Sequence, residues 1–136
     1  MPSRLTIRNA VFTAQAAAPS GPYSQAVRAG DLIFVSGQLP LDPGGALVGA
    51  GDIGAQTQAV LDNMKAILRK AGSSLHEVVK TTIFLTDLDL FTAMNDVYAA
   101  NFAPPHPART TVETGRLPRG ILIEIDCIAQ AQRKTS

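Results

Sequence analysis

The segment that most constrains the fold is Ile121-Leu122-Ile123-Glu124-Ile125-Asp126, in which isoleucine occupies every second position. Successive side chains of a β-strand point to opposite faces of the sheet, so this alternation predicts a strand. One face would hold Ile121, Ile123, Ile125 and Cys127, and the other would hold Leu122, Glu124, Asp126 and Ile128. The isoleucine face is the core face. The opposite face is neither fully polar nor fully apolar, which indicates that something other than solvent covers it.

A second strand precedes this segment. Residues 107–113 contain a β-branched run after Arg109, which is typical of a strand. The intervening residues 114–120 contain two glycines and Pro118, enough to turn the chain and bring the two strands into one neighbourhood. We therefore expect Arg109 to lie near a carboxylate of the final strand.

The other segments complete an order of strands and helices. Strands are predicted at residues 5–10 and 78–85, and a hairpin is predicted from residues 27–29 and 32–37 around Gly30-Asp31. Helical spacing of apolar residues predicts one helix between an N-cap at Asp52 and a stop at Gly72, and another over residues 87–103. Two helices can cover only one face of such a sheet. The expected fold is therefore α+β, a two-layer sandwich with a mixed β-sheet packed on two helices.

The two faces of this sheet differ in composition. The face toward the helices would hold Ile33, Val35, Val79, Ile83, Leu85, Ile121, Ile123 and Ile125. The outer face would hold Leu32, Phe34, Ser36, Thr82, Phe84, Leu122, Glu124 and Ile128. Left open, the outer face would be a large apolar patch, which soluble monomers rarely show. We infer a homo-oligomer that buries it, with polar residues concentrated where subunits meet.

Composition limits the classes of protein that fit. The 136 residues, 46% of them hydrophobic, are enough for one domain, residues 1–136, with its own core. A net charge of +1 without a cluster of Lys and Arg gives no support for binding to nucleic acid or an anionic membrane. No segment approaches the ~20 apolar residues that span a bilayer, and no secretory signal is visible, so a cytoplasmic protein is expected. One cysteine and two separated histidines argue against a disulfide framework and against a metal site.

Two short motifs carry less common chemistry. The proline- and glycine-rich residues 19–22 would hold Tyr23 in one orientation, although a rigid turn whose tyrosine caps the core would look the same. Ser36 is followed by Gly37, which would let another group approach the backbone closely. Asn95, in the second predicted helix, would be either a solvated or capping residue or a ligand contact.

Taken together, these motifs closely resemble the RidA/YjgF family of enamine/imine deaminases, in order and spacing, from about residue 17 to residue 129. The segments that carry the resemblance are Gly21-Pro22-Tyr23-Ser24-Gln25-Ala26, Val35-Ser36-Gly37-Gln38-Leu39-Pro40, Val79-Lys80-Thr81-Thr82, Pro107-Ala108-Arg109, Arg116-Leu117-Pro118 and Ile123-Glu124-Ile125. The resemblance implies a chorismate-mutase-like fold, a homotrimer and active sites in the clefts between subunits. It implies no cofactor.

The resemblance also implies roles for single residues. Arg109 matches the family's substrate arginine, whose planar guanidinium can hold a carboxylate through two parallel hydrogen bonds. Glu124 matches the glutamate that positions and activates water. The further substrate-binding residues expected are Tyr23, Ser36, Gly37, Asn95 and Thr111. Without the resemblance, a structural ion pair between Arg109 and Glu124 would explain this pair of residues equally well.

At residue 111 the chain departs from the best-known deaminases, which have cysteine two residues after the arginine. Thr111 keeps the backbone groups and a hydroxyl but has no thiol, so nucleophilic cysteine catalysis is not expected. The change affects the expected substrate range more than the expected activity. Cys127, on the isoleucine face, is expected to be a buried packing residue.

The activity implied is hydrolysis of short-lived 2-aminoacrylate-type enamines or imines to 2-oxo acids and ammonia, which protects pyridoxal-phosphate enzymes. Three alternatives stay open. The same clefts could hold a 2-oxo acid or a similar effector without turnover. A ribonuclease activity, attached to some relatives, is disfavoured by the neutral charge. A deaminase of a related substrate, such as 3-aminoacrylate or aminomuconate, is also compatible with the sequence.

Overall fold

The structure is a computed structural model that describes residues 8–132, in which one six-stranded sheet packs with two α-helices. The strands are β1 (Arg8–Val11), β2 (Ala26–Ala29), β3 (Leu32–Gln38), β4 (Val78–Leu85), β5 (Ala108–Glu113) and β6 (Ile123–Gln130). The helices are α1 (Ile53–Lys70) and α2 (Phe91–Asn101). The strand order is β1-β2-β3-β6-β4-β5, and only the β4–β5 pair within this sheet is parallel. The expected α+β architecture with a mixed sheet is confirmed.

The first hairpin forms where the sequence predicted it. Ala29 pairs with Leu32, and Gly30 between them has a φ of 61°, a conformation that glycine adopts without steric cost. β1 pairs with β2 on the outer side of this hairpin. Of the strand expected at residues 5–10, the first part lies outside the described residues, and the described part belongs to β1.

Helix α1 has the ends and the buried face that the sequence predicted. The Asp52 side chain accepts a hydrogen bond from the Ala55 N–H at 3.1 Å, and Gly72, with a φ of 79°, follows the last turn. The helix packs on β3 and β6. Its fully buried apolar side chains are Val60, Leu61, Met64, Ile67 and Leu68. Burial of each such side chain stabilises the folded chain by about 1.5–3 kcal/mol. Helix α1 therefore forms one wall of the core.

Helix α2 is shorter than the predicted span of residues 87–103. Leu88–Leu90 forms a 3₁₀ turn, and the Asp87 side chain before it accepts a hydrogen bond from the Asp89 N–H at 2.8 Å. The α-helix therefore begins only at Phe91. It buries Met94 and Tyr98.

The sheet shows the predicted alternation of inner and outer side chains. On the inner face Ile33, Ile83, Ile123 and Ile125 are fully buried. The outer face leaves apolar side chains partly open, with exposed fractions of 38% for Leu32 and 43% for Phe34. Within the chain, therefore, the outer face is the apolar patch that the sequence predicted.

The assignment of Val79 to the inner face was wrong. Val79 is 41% exposed, whereas its neighbour Val78 is 6% exposed. The pairing of β4 with β6 shifts register between Val78 and Lys80. Over this interval β4 advances by two residues while β6 advances by one, which forms a β-bulge in β4. This bulge moves Val78 to the inner face, and regular alternation resumes at Thr81 and Ile83.

The two C-terminal strands lie close together but are not paired with each other. β4 lies between them, pairing in parallel with β5 and antiparallel with β6. Residues that share a register position point to the same face, and Thr81 of β4 lies opposite Arg109 whereas Phe84 lies opposite Glu124. Since Thr81 and Phe84 lie on opposite faces of β4, the arginine and the glutamate do too.

Candidate active site

Arg109 lies on the edge strand β5 and points to the helix side of the sheet. Its Nη1 donates a hydrogen bond to Asn95 Oδ1 of α2 at 2.7 Å. Its Cζ lies 5.4 Å from the centre of the Phe91 ring and 4.8 Å from the centre of the Tyr98 ring, both also in α2. The guanidinium is thus held by one hydrogen bond and two aromatic faces.

The charge of Arg109 has no carboxylate partner in the part of the chain that the structure describes. Over residues 8–132 the side-chain ion pair found joins Lys65 to Asp62 at 3.8 Å, on the surface of α1. The interpretation of Arg109 and Glu124 as an ion pair within one chain is therefore wrong. An arginine that is half-buried and unpaired is suited to an anionic ligand, because its fork of N–H donors matches a carboxylate.

Tyr98 supports Arg109 from inside the core. Its hydroxyl lies 2.8 Å from Thr81 Oγ1, and its ring stacks on Phe102 with 4.4 Å between ring centres. Burial raises the pKa of the Tyr98 phenol, although the Thr81 hydrogen bond and the Arg109 charge lower it in part. The ring therefore meets the guanidinium as a neutral aromatic face.

Thr111 lies on the same face of β5 as Arg109, two residues further along the strand and opposite Ile83. Its Oγ1 is buried, and among residues 8–132 it has no hydrogen-bond partner. An unsatisfied buried hydroxyl costs about 1–3 kcal/mol, so its partner is expected from outside the described chain. Arg109, Asn95 and Thr111 form what we call the arginine half-site.

Glu124 lies on the outer face of the sheet, in β6, against the backbone of β3. A Cβ added to Gly37 would overlap the Glu124 carboxylate, so the glycine makes the space that this side chain occupies. The pairing of β3 with β6 is irregular between Val35 and Gln38, around this glycine. Burial raises the pKa of the Glu124 carboxyl, and the negative charge of Asp126 raises it further.

Ser36 and Tyr23 lie near Gly37. Ser36 Oγ donates a hydrogen bond to the Ser24 carbonyl at 2.6 Å, which ties β3 to the loop that carries Tyr23. Tyr23 is 48% exposed, so the alternative of a tyrosine that caps the core was wrong. Its hydroxyl accepts from the Ser20 N–H at 3.3 Å, and Tyr23 and Gly37 line one small cavity. Glu124, Gly37, Ser36 and Tyr23 form what we call the glutamate half-site.

The predicted site residues thus form two groups and not one. Because β5 and β6 are separated by β4 and because Arg109 and Glu124 point to opposite faces, the expectation that Arg109 lies near this carboxylate was wrong for a single chain. Sequence reasoning also missed Phe91 and Tyr98 as contacts of Arg109. A signal was present, since Phe91, Asn95 and Tyr98 have helical i, i+4, i+7 spacing and share one face of α2.

Cys127 and the histidines lie apart from these groups. Cys127 is 2% exposed on the inner face of β6, and burial raises the pKa of its thiol, so the prediction of a packing residue is confirmed. His76 and His106 are exposed. Across residues 8–132, no three His, Cys, Asp or Glu side chains are grouped in a way that could hold a metal ion. No helix in the same range is long and apolar enough to cross a membrane.

Comparison with known proteins gives a consistent set of relatives. The family model described as Endoribonuclease L-PSP matches residues 13–131. A RutC family protein of Pyrococcus horikoshii is 49% identical over 90% of this chain and 98% of its own. The crystal structure of RidA from an Antarctic Psychrobacter species matches with a TM-score of 0.86 at 41% identity, covering 90% of this chain and 98% of that one. Escherichia coli TdcF, solved with bound serine, matches with a TM-score of 0.83 at 35% identity, covering 91% and 99%.

Proposed function

The chain belongs to the RidA/YjgF family, and from the chemistry of its two half-sites we propose that it is a cofactor-independent deaminase of reactive enamine and imine intermediates. The reaction is hydrolysis of a 2-aminoacrylate-type enamine, or its imine tautomer, to a 2-oxo acid and ammonia. Its role in the cytoplasm would be to remove such intermediates before they damage pyridoxal-phosphate enzymes. The observation that carries the proposal is the unpaired, oriented guanidinium of Arg109.

Arg109 would bind the carboxylate of the substrate. A guanidinium has five N–H donors, and the one bonded to Asn95 leaves the others for a ligand. Two parallel hydrogen bonds to a carboxylate fix both the position and the plane of the substrate. The serine bound to the relative TdcF carries an α-carboxylate of the same kind, which supports this assignment.

Glu124 would accept and donate protons and would position water at the imine carbon. Its raised pKa brings the carboxyl nearer to neutral pH, where one group can both accept and return a proton. General acid/base catalysis of this kind contributes about 10²–10⁴-fold. Hydrolysis adds water to the C=N bond, giving a carbinolamine, and the amine nitrogen then leaves as ammonia while the carbonyl forms. Water and protons are the only co-reactants.

The two half-sites would meet between subunits of a homotrimer. One chain cannot present Arg109 and Glu124 to the same small ligand, because they point to opposite faces of the sheet. A neighbouring copy that covers the outer face could bring its arginine half-site to the first chain's glutamate half-site. Leu32, Phe34 and Val79, which are exposed in the chain, would be buried at the same time.

The test couples a serine or threonine dehydratase to the purified protein and follows the decay of the imine to 2-oxo acid. Wild type is expected to accelerate the decay, and Arg109→Ala and Glu124→Gln are expected to lose the acceleration. No acceleration of several small imines by folded wild type would contradict the proposal. The remaining alternative would then be a module that binds a 2-oxo acid without turnover.

Ribonuclease activity is tested separately, since the family description names an endoribonuclease. With intact RNA and a metal chelator, we expect no cleavage above a buffer control. Cleavage that is abolished by Arg109→Ala would contradict the assignment of Arg109 to small carboxylates.

A further inference from the structure

Three residues on one face of α2 contact a single side chain of β5, that of Arg109. Phe91, Asn95 and Tyr98 lie at helical i, i+4, i+7 spacing, and each contacts Arg109. Residues with this spacing form one stripe along a helix. The stripe therefore holds two aromatic rings and one amide against one guanidinium.

The two rings are supported in different ways. Tyr98 is 5% exposed and is fixed by its hydroxyl contact with Thr81 and by its stacking on Phe102. Phe91 is 37% exposed and is not part of the buried core. Core packing therefore explains the position of Tyr98, whereas the contact observed for the Phe91 ring is the one with Arg109.

The contacts restrict how the guanidinium can turn. A guanidinium that lies over ring faces cannot rotate freely about its side chain without losing those contacts. Asn95 Oδ1 accepts from Nη1 and so fixes the remaining rotation. The donors that remain then point in a set direction, and a carboxylate meets them without first having to order the side chain.

We propose that Phe91 and Tyr98 are positioning residues that fix the plane of Arg109, so that the preference of the site for a carboxylate over a neutral group depends on these two rings. The inference rests on the proposed function of Arg109 as the carboxylate anchor. It goes further by assigning part of the ligand selectivity to residues that hold Arg109 in place.

The experiment measures the ratio of affinities for 2-oxobutanoate and for its neutral analogue 2-oxobutanamide, by calorimetry on the assembled protein. Phe91→Leu is expected to lower the affinity for the acid about 2–5-fold, from the usual strength of a partly exposed cation–π contact, and to leave the amide unaffected. Phe91→Tyr keeps an aromatic face and is expected to keep the wild-type ratio. The matched control is Phe12→Leu, because Phe12 is 58% exposed and follows β1 at the opposite edge of the sheet.

In turnover, the same Phe91→Leu variant is expected to raise KM with little change in kcat, because the carboxylate is held equally in the ground state and the transition state. Tyr98→Leu is compared with Phe102→Leu, which removes a buried aromatic side chain from the same cluster without a direct contact to Arg109. Both variants are expected to lose stability. Tyr98→Leu is expected in addition to lower the ratio of acid to amide affinity.

The outcomes that overturn the inference are separable. Phe91→Leu could keep the wild-type ratio of acid to amide affinity while Arg109→Ala abolishes the preference for the acid. In that case the rings do not position the arginine, and the proposed function stands. If Phe91→Leu weakens acid and amide equally, its role is structural and the inference is wrong. If Arg109→Ala keeps the wild-type preference for the acid, the carboxylate anchor and the inference fail together.

Discussion

If the active site is shared between chains, two inactive variants should restore each other's activity when they assemble together. Arg109→Ala removes the arginine half-site, and Glu124→Gln removes the acid of the glutamate half-site. Each protein alone should be inactive, because every site then lacks one of the two groups. In a mixed assembly, a site is complete when the chain that supplies Arg109 is the Glu124→Gln variant and its neighbour is the Arg109→Ala variant.

The size of the recovery follows from random assembly. Each of those two conditions is met half of the time in an equal mixture, so about a quarter of the sites should be active. Arg109 and Glu124 lie on opposite faces of one sheet, so a single chain cannot bring them to one ligand. If both groups of one chain acted together, the mixture would recover nothing.

The assay co-refolds the two variants in equal amounts, isolates the assembled fraction and measures imine decay in the coupled dehydratase reaction. A second mixture provides the control. Wild type assembled with the Arg109→Ala, Glu124→Gln double variant should retain about a quarter of the wild-type rate for a shared site, and about half for a site within one chain. Zero recovery in the first mixture, together with about half in the second, would refute the shared site.

Three further predictions concern the glutamate half-site and the core. Gly37→Ala should lower activity about tenfold or more by displacing the Glu124 carboxylate, with the free energy of unfolding within about 1 kcal/mol of wild type by urea titration; full activity would contradict the contact. Glu124 binds a proton more tightly when folded, so wild-type stability falls as pH rises through its raised pKa. Glu124→Gln should therefore raise Tm at neutral pH, with a gain that vanishes near pH ~4, and an equal gain at both pH values would contradict burial as its cause. Cys127 should stay unlabelled by a thiol reagent in the native protein and react after denaturation; rapid native labelling would contradict its burial.

Much of the fold could be predicted because each element had a local cause. Alternation fixed the faces of β6, Gly30 marked the hairpin, and Asp52 and Gly72 marked the ends of α1. These signals depend on residues close together in the sequence. The outward position of Val79 could not be predicted, because the bulge next to Val78 arises from pairing with a distant strand.

The residues of the candidate site were easier to find than their arrangement. Arg109 and Glu124 were expected to be neighbours because the turn between their strands is short. The insertion of β4 between β5 and β6 is a property of the sheet order, and no local pattern reports it. The contact of Phe91 with Arg109 was missed for a related reason, since an aromatic residue at helical spacing predicts a core position first.

The outer face of the sheet has a composition that stability alone does not explain. A face that becomes buried between subunits would be most stable if it were wholly apolar, because desolvating a carboxylate is costly. Here Glu124 and Asp126 lie between Leu122 and Ile128 on that face, and the raised pKa of Glu124 is the local sign of the cost. Gly37 adds to it, since a glycine within a strand weakens the strand. Both features are explained if, in the proposed homotrimer, this face supplies a carboxylate for proton transfer as well as an interface. The surface that would join the subunits would then also complete the proposed site.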